Sequence, residues 1–473
     1  MLIFGFGRAI QILLMILTIK ISTILMSPYE MGRLSLISSI VSFYILIFIN
    51  PVGMFMNRRF HSWDLAGRVK YYMRYFWIYL TLVSFFSIIP ILILAKFDLL
   101  VISGNLIYLL ALVFSSLLIT TTNQVVIPNL NILGSRSLYL CLALATTSAS
   151  LIIAYLIVTH AYPKAEYWLS GILIGQFLVT IIGWKVFYSK INKSNDSISN
   201  TFLTKKHLRE MSRFVWPILI GSGFMWIQTQ GYRLIIVEMA GLVNLGLFVA
   251  GYTISAGIIS SVESIFSTYF LPHFYKNITS NQRRDQEKAW ALYASGIFPT
   301  LILVGFYTAA AAPELTRIFL GEAYKGSSTF LVWGTIVEIL RVISYVYGMV
   351  AHAKMETRLL VFPSIIGSFI LILLIMFALP YWGISAVGPI LAIAGAVFFV
   401  STFIAVRRNF TFLISYKLIG ECFLFGILLE ILNYFFRRTI GGNYILLLVI
   451  LTIMYLLMQF FILRPHLKYK SKM

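Results

Sequence analysis

Long apolar runs alternate with short polar connections along the whole chain. An apolar run of about 20 residues is long enough to cross a bilayer as an α-helix. The runs are continuously apolar, which favours helices over the alternating strands of a membrane barrel. The pattern therefore predicts an all-α integral membrane protein with about fourteen transmembrane segments. We number them 1 to 14, over residues 4–26, 33–56, 75–95, 105–127, 138–159, 166–187, 214–238, 246–271, 290–312, 328–351, 359–379, 386–406, 418–436 and 444–463.

Composition supports the membrane class. Of the 473 residues, 60% are hydrophobic and only 11% are charged, whereas a soluble domain carries about 25% charged residues. The two cysteines, Cys141 and Cys422, lie inside apolar runs, so no disulfide framework is expected. The first apolar run has no small-residue cleavage site after a short core, and we expect a retained first span in place of a removable signal.

The positions of the basic residues explain the net charge of +21. A strongly basic chain could bind nucleic acid, but these charges lie in the short connections between apolar runs. The N-terminus and every second connection, counted with the segment ends beside them, hold 27 of the 37 Lys and Arg residues, and the opposite side holds 7. The remaining three, Lys20, Arg233 and Arg341, lie deeper inside segments. The positive-inside rule then predicts both termini in the cytoplasm, in a multi-pass membrane protein without a nucleic-acid partner.

The two halves of the chain resemble each other. In each half a basic residue precedes, by 12 or 13 residues, a glycine that begins the next segment: Lys20 and Gly32, then Arg233 and Gly246. Two six-segment lobes of the same orientation are predicted, related by an axis along the membrane normal. The predicted domains are the N-terminal lobe over 1–188, a basic cytoplasmic linker over 189–213, the C-terminal lobe over 214–406, and segments 13 and 14 with a basic tail over 407–473.

Segment 7 carries an arginine inside its apolar run. Gly223, Trp226, Gln230 and Arg233 share one helical face at spacings of three and four residues. Arg233 could snorkel to the outer surface, about 9 Å away at 1.5 Å per residue. Helical side chains lean toward the helix N-terminus, however, which here is the more distant, cytoplasmic side. We therefore predict that this face lines a polar cavity.

Segment 10 carries a second polar face along its whole length. The alternative is a self-neutralising pair of Glu338 and Arg341, three residues apart, that only assists packing. Because the face continues beyond that pair, a functional cavity face is predicted. Its members are Gly334, Glu338, Arg341, Tyr345, Gly348 and His352.

Two further ionisable residues lie within segments. Glu263 shares its face with Ser260 and Ser267, and either carries a coupling proton or cation or is a buried partner of Arg233. Lys20 lies opposite the polar residues of segment 1, so snorkelling and helix packing compete with cavity lining. No histidine is paired with cysteine or an acid at a metal-ligand spacing, and no metal site is predicted.

No enzymatic constellation is found. The chain has no phosphate-binding glycine loop and no plausible Ser/His/Asp arrangement. The exported connections are all short, so there is no room for a catalytic domain outside the membrane. We predict that the protein is not an enzyme and needs no cofactor. Without a phosphate-binding loop, its energy source is predicted to be a proton or sodium gradient.

Four stretches resemble a known family. These are WPILIGSGFMWIQTQGYRLIIVEMAGLVNLGLFVAGYTI, STYFLPHFYK, RIFLGEAYKGSSTFLVWGTI and PYWGISAVGP. They resemble the bacterial polysaccharide flippases, which translocate O-antigen and capsule repeat units and belong to the multidrug/oligosaccharidyl-lipid/polysaccharide exporter superfamily. The resemblance covers roughly residues 1–410. Family members often carry an acid just before the segment 7 arginine, where this chain has Gly231 and Tyr232, so any ion coupling falls to Glu263 or Glu338.

The resemblance implies a function in lipopolysaccharide or other polysaccharide biosynthesis. The implied substrate is an undecaprenyl-diphosphate-linked oligosaccharide, flipped from the cytoplasmic to the periplasmic leaflet by alternating access through a cationic central cavity. Membrane lipids and other assembly proteins, such as a polymerase and a chain-length regulator, are expected partners. The predicted substrate-binding residues are Arg233, Gln230, Trp226, Arg341, Tyr345 and Lys20, and the predicted coupling residues are Glu263 and Glu338.

Three other functions remain open from the sequence. A flippase for the lipid-linked peptidoglycan precursor would use a similar cationic cavity. A cation-coupled multidrug exporter of the same superfamily would suit an acidic cavity, which Arg233 and Arg341 argue against. A membrane O-antigen polymerase or ligase would need a large periplasmic loop that this chain lacks.

Overall fold

The all-α prediction is confirmed in a computed structural model of the chain. Within the described residues every regular element is helical. Residues 192–204 of the predicted linker lie outside the described part of the chain. The structure describes residues 2–96, 105–191, 205–278, 282–354, 356–408, 410–439 and 444–470.

Ten helices in the described part of the chain are long and apolar enough to cross a membrane. The two longest, Arg209–Leu271 and Arg358–Arg407, far exceed a bilayer core of roughly 30 Å at about 1.5 Å per residue. Glycines with left-handed backbone interrupt them, Gly241 at φ 82° and Gly383 at φ 58°, so each is long enough for two crossings joined by a turn. Two shorter apolar helices, Ile10–Leu25 and Tyr444–Phe460, are also present. The count of fourteen segments stays a prediction.

The chain folds into two compact units, Met1–Gly246 and Leu247–Met473. The predicted lobes, divided at the linker, stay a prediction. The first unit contains α1 (Leu2–Leu25), α2 (Pro28–Tyr44), a π-helical segment (Ile45–Ile49), α3 (Asn50–Leu65), α4 (Val69–Phe86), α5 (Ile88–Lys96), α6 (Leu106–Ile132), α7 (Arg136–His160), α8 (Ala165–Lys190), α9 (Lys205–Trp226), a second π-helical segment (Ile227–Gly231) and the start of α10 (Tyr232–Ile278).

The second unit continues from α10 and is also helical throughout its described residues. It contains the rest of α10, α11 (Arg283–Ala310), α12 (Ala312–Phe319), a 3₁₀ turn (Glu322–Ser327), α13 (Ser328–Ala353), a 3₁₀ turn (Thr357–Leu360), α14 (Val361–Trp382), a 3₁₀ turn (Gly383–Ala386), α15 (Val387–Arg407), α16 (Tyr416–Thr439) and α17 (Tyr444–Lys470).

Small residues set the packing of α7 on α8 in the first unit. A Cβ atom on Gly171 would lie 2.3 Å from the Cα of Ala154, and one on Gly175 would lie 2.4 Å from the Cα of Ser150. Both helices therefore present small residues four positions apart, which lets the backbones approach. Close packing of this kind replaces the hydrophobic driving force that is missing between helices in lipid.

The two glycines that the repeat pairs, Gly32 and Gly246, meet at one helix crossing. A Cβ atom on Gly32 would lie 2.1 Å from the carbonyl oxygen of Leu242, and one on Gly246 would lie 1.8 Å from that of Pro28. Gly32 thus lies against Leu242, four residues before Gly246, and Gly246 lies against Pro28, four residues before Gly32. The contact is reciprocal, and it holds α2 against the start of α10 with backbone on backbone.

Aromatic residues fill the core of the second unit, where α10, α11, α13 and α15 meet. Trp290 is fully buried and donates through Nε1 to the carbonyl oxygen of Val346 at 3.0 Å. The rings of Tyr347 and Phe412 pack at 5.2 and 4.6 Å from its ring. This core fixes α13 on α11 and so positions the polar residues of α13.

Candidate functional site

Arg233 lies in the first turn of α10, in the first unit. Its side chain is half-buried, and Nη1 donates to the hydroxyl of Ser35 on α2 at 3.1 Å. Its Nε is buried and makes no hydrogen bond. Among the described residues no carboxylate forms an ion pair with Arg233. The guanidinium therefore keeps its full charge in a site from which much of the solvent is excluded.

Trp226 and Gln230 meet the same face of α2 as Arg233. Trp226 donates through Nε1 to the carbonyl oxygen of Ser39 at 3.0 Å, and the Ser39 hydroxyl donates to Oε1 of Gln230 at 3.3 Å. Ser35 and Ser39 are one helical turn apart. The three residues that the sequence placed on one face thus share a ladder of two serines, which we call the serine ladder.

The Trp226 ring is held by close contacts. A Cβ atom on Gly231 would lie 2.7 Å from that ring, so only glycine leaves room for it here. On its other side the Phe43 ring meets it edge-on, with 5.0 Å between centroids. The indole is fixed in place beside Gln230 rather than mobile in lipid.

Two π-helical segments flank the serine ladder. Ile45–Ile49 directly follows α2, and Ile227–Gly231 lies between Trp226 and Arg233. α2 packs on the second segment and α9 packs on the first. A π turn inserts one residue into the helical repeat and is frequent at functional sites. Neither segment is readable from the residue pattern, so the sequence analysis missed them.

Lys20 is half-buried near the end of α1, which packs along α7. Its proposed membership of the binding site stays a prediction.

Arg341 lies on α13 in the second unit, between two carboxylates. Its Nε donates to Oε2 of Glu338 at 2.7 Å, and its Nη2 donates to Oε2 of Glu263 on α10 at 2.8 Å. Tyr252 donates its hydroxyl to the other oxygen of Glu338 at 2.6 Å. Two carboxylates therefore share one guanidinium, and the formal charge of this cluster, the carboxylate cluster, is −1 when both acids are ionised.

The side chains of the carboxylate cluster differ in exposure. The Arg341 side chain is 33% exposed and that of Glu263 is 19% exposed, whereas that of Glu338 is 8% exposed. Tyr345, one turn after Arg341, is 38% exposed. The cluster thus has an accessible edge, formed by Arg341 and Tyr345, and a buried acid behind it.

The remaining positions of the α13 face serve packing. A Cβ atom on Gly334 would lie 2.8 Å from the hydroxyl oxygen of Ser255 on α10. The Ser255 hydroxyl in turn donates to the carbonyl oxygen of Leu331 at 2.7 Å. Gly348 faces the Leu360 side chain at 3.5 Å. The middle of the face carries charge, while these glycines admit neighbouring helices.

A third charged group was missed by the sequence analysis. Arg33 on α2 is buried and pairs with Glu30 and with Glu166 of α8. The second carboxylate oxygen of Glu30 accepts from the backbone N–H of Ala165 at 2.8 Å, at the start of α8. The three-residue spacing of Glu30 and Arg33 was visible in the sequence, but the distant partner Glu166 was not. This group ties α2, which carries the serine ladder, to α8.

No metal centre is formed within the described ranges, since no three His, Cys, Asp or Glu side chains there converge.

Comparisons with known proteins show which solved structures share the fold of this chain. No protein-family model and no curated protein sequence matches the chain. Among solved structures, the lipid II flippase MurJ in an inward closed conformation is similar over 98% of this chain and 99% of its own, with a TM-score of 0.64 and 14% identity. An inward-facing multidrug resistance MATE family transporter of the MOP superfamily is similar over 85% of this chain and 94% of its own, with a TM-score of 0.55 and 14% identity.

An outward-facing MATE transporter of that superfamily gives a TM-score of 0.50 at 12% identity. At these identities the likeness is one of fold. With the apolar helices, it makes the chain a multi-pass membrane protein whose fold is that of MurJ and the MATE transporters.

Proposed function

We propose that the protein is a flippase for a polyprenyl-diphosphate-linked oligosaccharide, an O-antigen or capsule repeat unit, which it moves across the bacterial inner membrane by alternating access. The observation that carries this proposal is Arg233, a half-buried guanidinium that no described carboxylate neutralises. A buried charge without a counter-ion is costly. An anionic substrate supplies the missing charge, and its binding energy offsets that cost.

The chemistry of the serine ladder suits a diphosphate. The planar guanidinium donates in a fork that matches phosphate oxygens, and charge-assisted bonds of this kind are shorter and stronger than neutral ones. The Ser35 hydroxyl lies 3.1 Å from Nη1 of Arg233 and can rotate to donate to the same phosphate. The buried Nε of Arg233 is a further donor.

Gln230 and Trp226 suit the sugar that follows the diphosphate. The amide nitrogen of Gln230 can donate to a sugar hydroxyl while its Oε1 accepts from Ser39. The indole of Trp226, anchored through Ser39, offers an apolar face to a sugar ring. Such groups let a hydrated glycan exchange water for protein partners, which hydrocarbon cannot offer.

The carboxylate cluster suits the coupling step. With Arg341 shared by Glu263 and Glu338, one carboxylate is in excess and is the natural site for a proton or a sodium ion. Arg341 and Tyr345 at its open edge would contact the glycan. Occupation of the excess carboxylate by a cation would then favour one conformation over the other, which is how an ion gradient drives transport.

The fold of MurJ favours a second candidate. That neighbour is by its name a flippase of lipid II, and its likeness extends over nearly the whole of both chains. A peptidoglycan lipid precursor also presents a diphosphate to Arg233. Multidrug export, the activity named for the MATE neighbours, would instead use the excess carboxylate to bind a cationic drug.

The test is complementation of a strain that lacks this gene. The wild-type chain should restore surface glycan, and Arg233→Ala should leave lipid-linked oligosaccharide in the cytoplasmic leaflet while reaching normal levels in the membrane. The matched control is Arg136→Ala, which removes an exposed arginine at the start of α7 and should restore glycan fully.

Three results would reject the proposal. Full glycan output from Arg233→Ala would remove the role of the guanidinium. Rescue of a strain depleted of its lipid II flippase, without any effect on surface glycan, would assign the peptidoglycan precursor. Increased resistance to cationic drugs with unchanged glycan would assign multidrug export.

A further inference from the structure

The exposed face of α4 changes character along its length. At its start the exposed side chains are Lys70 and Arg74, one turn apart. Beyond them the same face continues with Ile78, Leu82 and Phe85, which are 50, 51 and 64% exposed. An apolar exposed face on a membrane helix meets acyl chains, so the two cations mark the level at which that face leaves the hydrocarbon.

The exposed face of α8 shows the same change in the opposite chain direction. Leu178 and Ile182 are 49 and 55% exposed. One turn later the face presents Lys185, then Ser189 and Lys190, all exposed. The cations therefore lie at the end of α8, whereas those of α4 lie at its start.

An aromatic contact brings these two ends to one level. Trp77 on α4 meets Trp184 on α8 with 4.7 Å between ring centroids. Trp77 also donates through Nε1 to the hydroxyl of Tyr188 at 3.0 Å. Arg74 precedes Trp77 by three residues and Lys185 follows Trp184 directly. Both cations thus flank the same aromatic group, each on the exposed side of its helix.

The charges of this patch are not neutralised by the protein. Among the described residues none of Lys70, Arg74 and Lys185 forms an ion pair with a carboxylate. Arg74 and Lys185 both carry positive charge next to the Trp77–Trp184 contact, so an anion bound there would be attracted to both. Because the adjacent exposed faces of α4 and α8 are apolar, we expect the anion to carry acyl chains.

We propose that Arg74 and Lys185 form a binding site for the phosphate of an anionic phospholipid. The acyl chains would lie along the exposed apolar residues of α4 and α8, and the Trp77–Trp184 pair would sit at the level of the glycerol backbone. Tryptophan is enriched at that depth because its ring is apolar while its N–H is polar. The site is independent of the transported substrate.

The test uses the full chain reconstituted in vesicles of phosphatidylcholine that contain a rising fraction of brominated phosphatidylglycerol. Bromine quenches nearby tryptophan, and the chain has nine, so the signal lost in Trp77→Phe/Trp184→Phe isolates the two reporter rings. A basic residue near the surface adds about fivefold to the affinity for an anionic lipid. The preference for brominated phosphatidylglycerol over brominated phosphatidylcholine should then be about 25-fold, and Arg74→Gln/Lys185→Gln should abolish it.

The matched control is Arg136→Gln/Lys164→Gln, which removes two exposed cations elsewhere in the same unit and should keep the preference. If the test variant does not fold, Arg74→Gln and Lys185→Gln are measured singly, each with an expected loss of about fivefold. Equal quenching by the two brominated lipids in the wild-type chain would overturn the proposal. So would an undiminished preference in the variants.

Discussion

Arg233 and Arg341 are both arginines inside long apolar helices, and their surroundings are opposite. Arg341 is clamped by two carboxylates at 2.7 and 2.8 Å, one of them supported by a tyrosine hydroxyl. Arg233 has a single serine hydroxyl at 3.1 Å and a buried Nε without a hydrogen bond. Arg341 has two carboxylate partners, whereas Arg233 has none among the described residues. The same residue type thus belongs to the carboxylate cluster in one unit and to a proposed anion-binding site in the other.

The largest expected difference between Arg341 and Arg233 is in how much each contributes to the stability of the folded protein. Arg341→Met leaves Glu263 and Glu338 facing each other without their shared cation. Breaking a buried pair costs about 3–5 kcal/mol, and because Arg341 is one-third exposed we expect about 2–4 kcal/mol here. Thermal unfolding of the detergent-purified protein should show a clearly lowered midpoint.

Arg233→Met is the matched control for that experiment. It removes a guanidinium that no described acid pairs with, so the unfolding midpoint should be unchanged or raised. Equal losses of stability in the two variants would erase the difference between the arginines.

Removing the acids sharpens the same contrast. Glu263→Gln or Glu338→Gln alone leaves one carboxylate on Arg341, and either change should lower the free energy of unfolding by less than about 1.5 kcal/mol. The double variant leaves Arg341 uncompensated and should lose more than the sum, by about 1–3 kcal/mol. Denaturant or thermal unfolding of all four proteins gives this coupling. Additive losses would show that Arg341 does not bridge the two acids.

Export rates of Arg233 variants distinguish the effect of the positive charge from that of the planar guanidinium. Arg233→Ala should lower the rate of glycan export by about 10–100-fold, the equivalent of a charge-assisted hydrogen bond worth about 1.5–3 kcal/mol. Arg233→Lys keeps the charge and loses the planar fork, so its export rate should lie between those of the wild type and Arg233→Ala. Radiolabelled glycan appearing at the cell surface measures the rate. A lysine variant as active as wild type would reduce the role of Arg233 to charge alone.

The sequence predicted the parts of this picture that depend on local periodicity. Apolar run length gave the helical class, and spacings of three and four residues placed Trp226, Gln230 and Arg233 on one face. The structure joins all three to the serine ladder. The ion pair of Glu338 and Arg341, which the spacing offered only as the alternative to a cavity face, is present in the structure.

What the sequence could not supply depends on distant partners and on backbone irregularity. Glu263 is 78 residues from Arg341, and Glu166 is 133 residues from Arg33, so no local pattern links them. The π turn at Ile227–Gly231 lies where α2 and α9 pack, and no residue pattern marks it. The repeat pairing of Gly32 with Gly246 was visible, but their mutual contact emerges only in three dimensions.

The smallest expected difference between the two units concerns two tryptophans, Trp226 and Trp290. Each donates its indole N–H to a backbone carbonyl at 3.0 Å, Trp226 to Ser39 and Trp290 to Val346. Trp290 is fully buried, so Trp290→Phe should lose a buried hydrogen bond and leave a void, at a cost of about 1–3 kcal/mol of stability. Trp226 is half-buried beside an uncompensated cation, so Trp226→Phe should cost only about 0.5–1.5 kcal/mol.

Transport then distinguishes the two tryptophans by what each ring contacts. Phenylalanine at position 226 keeps an aromatic face for a sugar ring, so Trp226→Phe should export glycan at close to the wild-type rate. Trp226→Leu removes that face and should lower the rate by about 3–10-fold, in line with an aromatic contact worth about 0.5–1.5 kcal/mol. Trp290→Leu should alter protein yield and leave the rate per molecule unchanged. If Trp226→Leu also acted only through protein yield, Trp226 would serve packing as Trp290 does, and the anion at Arg233 would have to be recognised without it.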